Sequence, residues 1–266
     1  MFDLTHMGHD KAVKALHKAM IQTGFTQHRA VLTAIESLHE GNNPLEFLET
    51  RWDKSLQNGD PDFAVYEHPL YLAEAFYCWF VYSRQCLKEM SSIRRHPPRG
   101  FLHSLGTVNV IVDLGNGIGF STAGFAKLYP SATIYGTNVA DCDQMKIAKC
   151  IADPFETGTP SFQMVPDLKE IGATADIVFA SEYFEHFEEP IAHLHEVLQY
   201  LKPRFLITCN GFGVDAIGHF NEYKDGENIV EGKKMSRLFN KEVQKYGYEK
   251  IDNNFWNHRP IVWRKI

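Results

Sequence analysis

Residues 110–119 constrain the fold of this chain more than any other segment. An apolar run reads as a buried strand and ends at Asp113. Gly115, Gly117 and Gly119 follow at alternate positions and lead into a second apolar stretch that is typical of a helix. Glycines allow a tight turn and let a ligand lie directly against the main chain. The pattern therefore predicts a binding site for a nucleotide-type cofactor at the end of a strand in a parallel sheet.

Strand-like and helix-like segments alternate through the second part of the chain, which predicts an α/β fold with a doubly wound, mostly parallel sheet of seven strands. We predict strands at 108–113, 132–137, 161–165, 175–181, 204–209, 247–253 and 259–265, and helices at 119–128, 141–152, 188–200 and 233–246. The last two strands are joined by a short connection. They are therefore also compatible with an antiparallel hairpin at the sheet edge.

The first part of the chain reads as helical, because apolar residues recur at spacings of three and four. We predict helices at 9–22, at 27–39, from about Pro44, and at 69–90, the last being dense in aromatic residues. Most of these aromatics are expected in the core, and a minority lining a substrate pocket over the cofactor. The Pro97-Pro98-Arg99-Gly100 segment is the predicted boundary. Residues 1–98 would then form a helical cap or substrate region, and 99–266 the cofactor-binding domain.

Composition narrows the class of protein. Hydrophobic residues make up 44% and charged residues 23% of the chain, as in ordinary globular proteins. The net charge of −6 provides no general basic field for nucleic acid. The basic segment at 94–99 is a local candidate for contact with a polyanion. The alternative interpretation is a solvated linker. Five cysteines without a Cys-x-x-Cys pair favour reduced thiols. With neither a signal-peptide pattern nor a membrane-spanning apolar run, we expect a cytoplasmic protein of undefined oligomeric state.

Two cofactor classes use a glycine-rich first turn, namely dinucleotides and S-adenosylmethionine. Dinucleotide seats usually have the spacing G-x-G-x-x-G. Here the spacing is G-x-G-x-G, and an acid precedes it by two residues. An acid beside the loop suits the ammonium group of S-adenosylmethionine. The segment resembles motif I of the class I, Rossmann-like S-adenosylmethionine-dependent methyltransferases.

The resemblance extends over about residues 100–266. Residues 176–190 and 193–203 look like the family's fourth strand and the helix after it, and 204–210 looks like its fifth strand after a Lys-Pro pair. It implies cofactor contacts from the following residues: Asp113, Gly115, Asn116, Gly117, Gly119, Asn138, Asp167 and Ser181. Asp167 is assigned to the adenine amino group, with a simple loop acid as the alternative.

The sequence departs from the family pattern at the end of the second strand. Members commonly have an acid there that binds the ribose hydroxyls, whereas this chain has Asn138. An amide can still bind a hydroxyl, but it lacks the charge that strengthens such bonds. Asp141 and Asp143 lie nearby and could substitute for the acid, although a helix N-cap is the favoured interpretation of each.

Glu182, Glu185 and His186 follow the fourth strand, at the edge of the sheet where ligands of parallel sheets bind. Two carboxylates and an imidazole suit Mg²⁺ or Mn²⁺. The Glu-x-x-Glu-His motif resembles the metal motif of ubiquinone-pathway O-methyltransferases and of small-RNA 3′-terminal 2′-O-methyltransferases. In the RNA enzymes a further histidine completes the site, and His219 occupies a comparable place. The alternative is a metal-free loop in which these residues are structural or transfer a proton.

Both alternatives lead to methyl transfer. A metal would lower the pKa of a bound hydroxyl, whereas a metal-free site would use His186, before His219, as general base, with Glu185 beside them. The chain lacks the Asn/Asp-Pro-Pro-aromatic block of amino-methylating DNA enzymes and the Pro-Cys pair of cytosine C5 enzymes. O-methylation of a small molecule is the favoured activity. An RNA or nucleotide hydroxyl, or a catalytically inactive binding protein, are the alternatives.

Overall fold

A seven-stranded sheet forms the centre of the protein, in a computed structural model that describes residues 7–94, 99–152, 162–165, 167–251, 255 and 259–266. The strands of the chain are β1 (Val110–Leu114), β2 (Thr133–Thr137), β3 (Phe162–Val165), β4 (Ile177–Ser181), β5 (Phe205–Cys209), β6 (Glu222–Asp225), β7 (Asn228–Glu231), β8 (Tyr248–Lys250) and β9 (Ile261–Lys265). Their order in the main sheet is β3-β2-β1-β4-β5-β9-β8.

The first five strands of this order are parallel, and β9 is antiparallel to both β5 and β8. The predicted mostly parallel sheet is confirmed, and the late strands pair as the hairpin alternative predicted. β6 and β7 form a separate antiparallel hairpin that the sequence analysis did not predict.

Helices cover both faces of the sheet. They are α1 (His9–Gln22), α2 (His28–His39), α3 (Glu46–Gln57), α4 (Tyr71–Cys78), α5 (Arg84–Ser91), α6 (Phe101–Ser104), α7 (Phe120–Leu128), α8 (Asp143–Ala152), α9 (Pro190–Leu201) and α10 (Gly232–Lys245). Short 3-10 helices lie at Phe63–Glu67, Leu168–Glu170 and Phe184–His186. The predicted long aromatic helix is α4 and α5 joined by a π-helical turn at Trp79–Ser83.

The N-terminal helices pack directly on the cofactor-binding part of the chain. Leu16 and Phe76 share one buried cluster with Phe120 and Ile147, which belong to α7 and α8. Trp79 stacks on Phe120 with ring centroids 4.2 Å apart. The helical region therefore forms a roof over the loop that precedes α7. Of the predicted boundary segment, residues 97 and 98 lie outside the described residues, and the division at 98/99 stays a prediction.

Several composition-based expectations can be compared with the described residues. All five cysteines are free thiols. No helix in the described part of the chain is long and apolar enough to cross a membrane. Residues 95–98 of the basic segment lie outside the described part of the chain.

Gly119, the residue before α7, is expected to be essential for stability. Its φ is +86°, and an added Cβ would lie 2.7 Å from both the Cα and the carbonyl oxygen of Ala148. Gly119→Ala should therefore lower the free energy of unfolding by about 2–4 kcal/mol, measured by urea denaturation. Gly124→Ala is the matched control on the same helix, because its Cβ would make an ordinary 3.6 Å contact with Leu87. Equal unfolding free energies for the two variants would contradict the packing argument.

Candidate functional site

A cavity of about 840 Å³ opens at the carboxyl ends of β1, β2 and β4, beneath the N-terminal helices. Its walls come from the N-terminal roof and from the segments that follow the five parallel strands. The lining residues include Gly115, Asn116, Gly117, Ser121, Asn138, Asp167, Ser181, Glu182, His186, His219, Tyr66, Tyr71, Glu74, Cys78 and Trp79. The cavity thus brings the predicted cofactor loop together with Glu182, His186 and His219, whereas Glu185 is not among its described lining residues.

The glycine loop is held against the end of β2. The Gly115 N–H donates to Thr137 Oγ1 at 3.0 Å, and the Asn116 N–H donates to the Thr137 carbonyl at 3.0 Å. A Cβ on Gly115 would lie 2.4 Å from the Tyr183 ring, so this side of the loop is closed. Gly117 has a φ of +52°. The atom nearest to a Cβ added at Gly117 would be Ala75 Cβ, at 3.8 Å. The main chain at Gly117 therefore faces open cavity space.

Asp113 is buried at the end of β1, with 1% of its surface exposed. Its Oδ2 accepts hydrogen bonds from the Ser121 and Thr122 hydroxyls, each at 2.6 Å. Burial raises the pKa of Asp113 to about 6, although both hydroxyl bonds act in the opposite direction. The carboxylate is thus fixed at the start of α7 and also lines the cavity.

Asn138 fixes the glycine loop. Its Nδ2 donates to the Gly117 carbonyl at 2.8 Å, and its Oδ1 accepts from the Val139 N–H at 2.8 Å. The amide is therefore engaged by the protein, although the residue lines the cavity. Of the two nearby acids, Asp143 begins α8 and pairs with Lys146 at 3.4 Å, whereas Asp141 is exposed with a φ of +55°.

Asp167 and Ser181 also line the cavity, whereas Gly119 is not among its described lining residues. Asp167 precedes a 3-10 helix, and its Oδ1 accepts from the Lys169 N–H at 2.9 Å. Ser181 ends β4, where its Oγ accepts from the Ser83 hydroxyl at 3.1 Å. This bond connects the π-helical turn of the roof to the sheet.

Glu182, Glu185 and His219 form a compact cluster, called here the acid–histidine group. One ligand atom from each side chain lies within 4.8 Å of the others. Gly211, after β5, makes room for them: an added Cβ would lie 3.1 Å from Glu185 Oε1 and 3.2 Å from Glu182 Oε2. Glu182 has a φ of +51°, a conformation rare outside glycine that persists only when the surroundings hold it.

The acid–histidine group holds two carboxyl groups close together. Burial and the nearby Glu185 carboxylate hold the pKa of Glu182 well above its ordinary value. Glu185 is fully buried; its Oε1 accepts from the Gly211 N–H at 2.5 Å, and its Oε2 has no hydrogen-bond partner. His219 Nδ1 donates to the Val214 carbonyl at 3.0 Å, which leaves the lone pair on Nε2.

His186 lies outside the acid–histidine group. Its Nδ1 is 2.9 Å from the Tyr66 hydroxyl and 3.1 Å from the Gly218 carbonyl, and its ring is perpendicular to that of His219 at 4.6 Å. Burial and the neighbouring His219 lower the pKa of His186 to about 3. Of the four residues predicted as metal ligands, the structure thus gathers three, and the fourth contacts the roof.

Sequence analysis missed three residues that shape this site. Tyr66 comes from a 3-10 helix in a segment without periodic signal, 120 residues from His186. A Cβ on Gly218 would lie 2.2 Å from the Tyr66 hydroxyl, so the tyrosine and this glycine fit together. Sequence analysis could have assigned Gly211 and Gly218 to the site, because both follow a sheet strand and glycines there often mark close approach to a ligand.

Comparison with known proteins agrees with this geometry. A sequence profile described as a methyltransferase domain matches residues 112–207, and no curated protein sequence matches significantly. The fold is similar to that of a candidate O-methyltransferase from Nostoc punctiforme PCC 73102, with 15% identity and a TM-score of 0.51 over 75% of this chain and 61% of that one. 

Two further similar structures are more distant in shape. Magnesium protoporphyrin IX methyltransferase from Synechocystis PCC 6803, with bound S-adenosylhomocysteine, is 17% identical with a TM-score of 0.41 over 61% of this chain and 76% of that one. The methyltransferase domain of the bacterial CtHen1-C protein is 17% identical with a TM-score of 0.43 over 62% and 97%. Residues 112–207 thus match a methyltransferase-domain family, and the protein shares its fold with the Nostoc structure.

Proposed function

We propose that the protein transfers the methyl group of S-adenosylmethionine to a hydroxyl oxygen of a small molecule. The observation that carries the proposal is the shared cavity, which is lined both by Gly115 and Gly117 and by Glu182 and His219. Its volume of about 840 Å³ lies in the range of pockets that hold drug-sized ligands. Methyl transfer depends mainly on holding donor and acceptor in line, and one enclosed space for both supports this activity.

The cofactor would lie along the glycine loop. It would contact the main chain at Gly117, where an added Cβ would have space around it. Asp113 would bind the ammonium group of the cofactor directly or through water. Asp167 retains one carboxylate oxygen beyond its bond to Lys169 and is the proposed partner of the adenine amino group. Asn138 would act mainly by holding the Gly117 carbonyl in place, because its amide is already engaged there.

The acid–histidine group fits a divalent cation. Glu182, Glu185 and His219 would hold Mg²⁺ or Mn²⁺, and three features support this: the unpartnered Glu185 Oε2, the free Nε2 of His219, and the close approach of their ligand atoms. When bound, the ion would lower the pKa of the acceptor hydroxyl and favour its alkoxide.

The two histidines would have different roles. His186 is engaged at Nδ1 by Tyr66 and Gly218, so it would position the loop after β4. His219 is anchored by the Trp52 indole N–H, which donates to its carbonyl at 2.7 Å. In the metal-free form its Nε2 would accept the hydroxyl proton, whereas with an ion bound Nε2 would be a ligand and the proton would pass to water. As the carbon–oxygen bond forms, the sulfur–carbon bond breaks and its electron pair stays on sulfur. The products are the methyl ether and S-adenosylhomocysteine.

Calorimetric titration tests this proposal. S-adenosylhomocysteine should bind the wild-type protein with micromolar affinity, and Mn²⁺ should bind at one site. Cofactor binding without any Mn²⁺ binding would restrict the proposal to the metal-free form, in which His219 is the base. Absence of cofactor binding would overturn it and favour the catalytically inactive alternative.

A further inference from the structure

The acceptor end of the cavity contains a carboxylate that the proposed function does not use. Glu74 lies on α4, next to Ala75, which faces Gly117, and one turn before Cys78. The Cys78 thiol donates to Glu74 Oε1 at 3.4 Å. Glu182 and Glu185 are close enough for their charges to act on Cys78. Glu74 therefore lies on the roof between the cofactor loop and the acid–histidine group.

Glu74 has no cationic partner among the described residues. Burial raises the pKa of Glu74 most strongly, and no nearby lysine or arginine offsets that effect. A half-buried carboxylate without a cation is unfavourable, and a ligand that supplies the positive charge removes the cost.

Acidic residues outnumber basic ones in the lining of the cavity. The described residues that line it include seven carboxylates and a single lysine, Lys169. Lys169 follows Asp167 beside β3 and lies 5.7 Å from the Tyr200 ring, at the predicted adenine end. The acceptor end thus has carboxylates, histidines and tyrosines but no lysine or arginine among its described lining residues. Arg259 is close enough for its charge to act on Glu182, although it is not among those lining residues. The excess of carboxylates in the lining favours a cationic acceptor over an anionic one.

Aromatic rings complete this end of the cavity. Tyr66 and Tyr71 both line it, and their ring centroids are 5.0 Å apart in an edge-to-face arrangement. Ring faces beside a carboxylate are a common environment for an ammonium group, because the ring quadrupole attracts cations.

We propose that the acceptor is a small hydroxylated amine whose ammonium group binds Glu74, between Tyr71 and Cys78, while its hydroxyl faces the acid–histidine group. This inference rests on the proposed function and adds a substrate class to it. Glu74 is a specificity residue in this arrangement, and the nitrogen is held away from the methyl group, so oxygen is the methylated atom.

Matched pairs of probes test the inference. The wild-type protein is first saturated with S-adenosylhomocysteine in the presence of Mn²⁺. It is then titrated with tyramine, dopamine and serotonin, and with the propanoic acids that carry the same rings. At least one amine should bind about tenfold or more tightly than its matched acid. Equal or tighter binding of the acids, or no binding of any amine, would overturn the inference.

Two isosteric variants locate the selectivity. Glu74→Gln should reduce the preference for the amine to less than about threefold, since the ionic contribution is removed. Glu67→Gln is the matched control, because Glu67 lines the same cavity but is exposed, and it should retain the wild-type preference. An unchanged preference in Glu74→Gln would contradict the role of Glu74. Because S-adenosylhomocysteine binding is measured first, loss of the proposed function and loss of amine selectivity give different results.

Discussion

Glu185→Gln is expected to remove Mn²⁺ binding and methyl transfer while leaving the cofactor bound. The carboxylate is fully buried, Oε1 is already bonded to the Gly211 N–H, and Oε2 is the unpartnered atom of the acid–histidine group. Glutamine keeps the shape and the bond to Gly211 but removes the negative charge. The Mn²⁺ affinity should fall by at least about 100-fold and the transfer rate by about 1,000-fold. Electron paramagnetic resonance of free Mn²⁺ measures the first effect without any acceptor.

The control for this variant is Glu188→Gln. Glu188 also lines the cavity, but it is exposed and pairs with Lys224 at 2.8 Å, so its loss should change Mn²⁺ affinity by less than about threefold. S-adenosylhomocysteine should bind both variants within about threefold of wild type. Unchanged Mn²⁺ binding in Glu185→Gln would exclude Glu185 as a ligand. Loss of cofactor binding in that variant alone would assign it a structural role.

The sheet and the cofactor loop were predictable because their signals are local. A buried strand that ends in Asp113 and continues into three alternating glycines is complete within ten residues, and the parallel order follows from the alternation of strands and helices. The β6–β7 hairpin was missed although a signal was present. Its two-residue loop starts with Gly226, a position where glycine favours a tight reversal between strands.

The arrangement within the site was less predictable because it depends on distant contacts. Spacing alone placed His186 beside Glu182 and Glu185, yet the bond to Tyr66 directs its Nδ1 toward the roof. Similarly, nothing near Asn138 in the sequence indicates that its amide holds the Gly117 carbonyl 21 residues away. A motif therefore identified which residues are near the chemistry, whereas the tertiary structure determines which atoms are free to take part.

Gly117→Val tests the cofactor seat itself. Valine would place its methyl groups in the cavity, in the space between the loop and Ala75, where the proposal positions the cofactor. The affinity for S-adenosylhomocysteine should fall by at least about 100-fold, measured by calorimetry. The φ of +52° adds backbone strain of about 1–2 kcal/mol, which would lower stability whether or not the cofactor lies there.

Gly226→Val separates strain from obstruction, because Gly226 has a similar φ of +61° in the β6–β7 turn, with open space around an added Cβ. Both variants should lose a similar amount of unfolding free energy in urea, and only Gly117→Val should lose the cofactor. If Gly117→Val binds S-adenosylhomocysteine as wild type does, the cofactor does not follow the main chain at this glycine. The proposed cofactor-binding site would then be rejected. The proposed order along the cavity, from methyl donor to acceptor hydroxyl to Glu74, would be rejected with it.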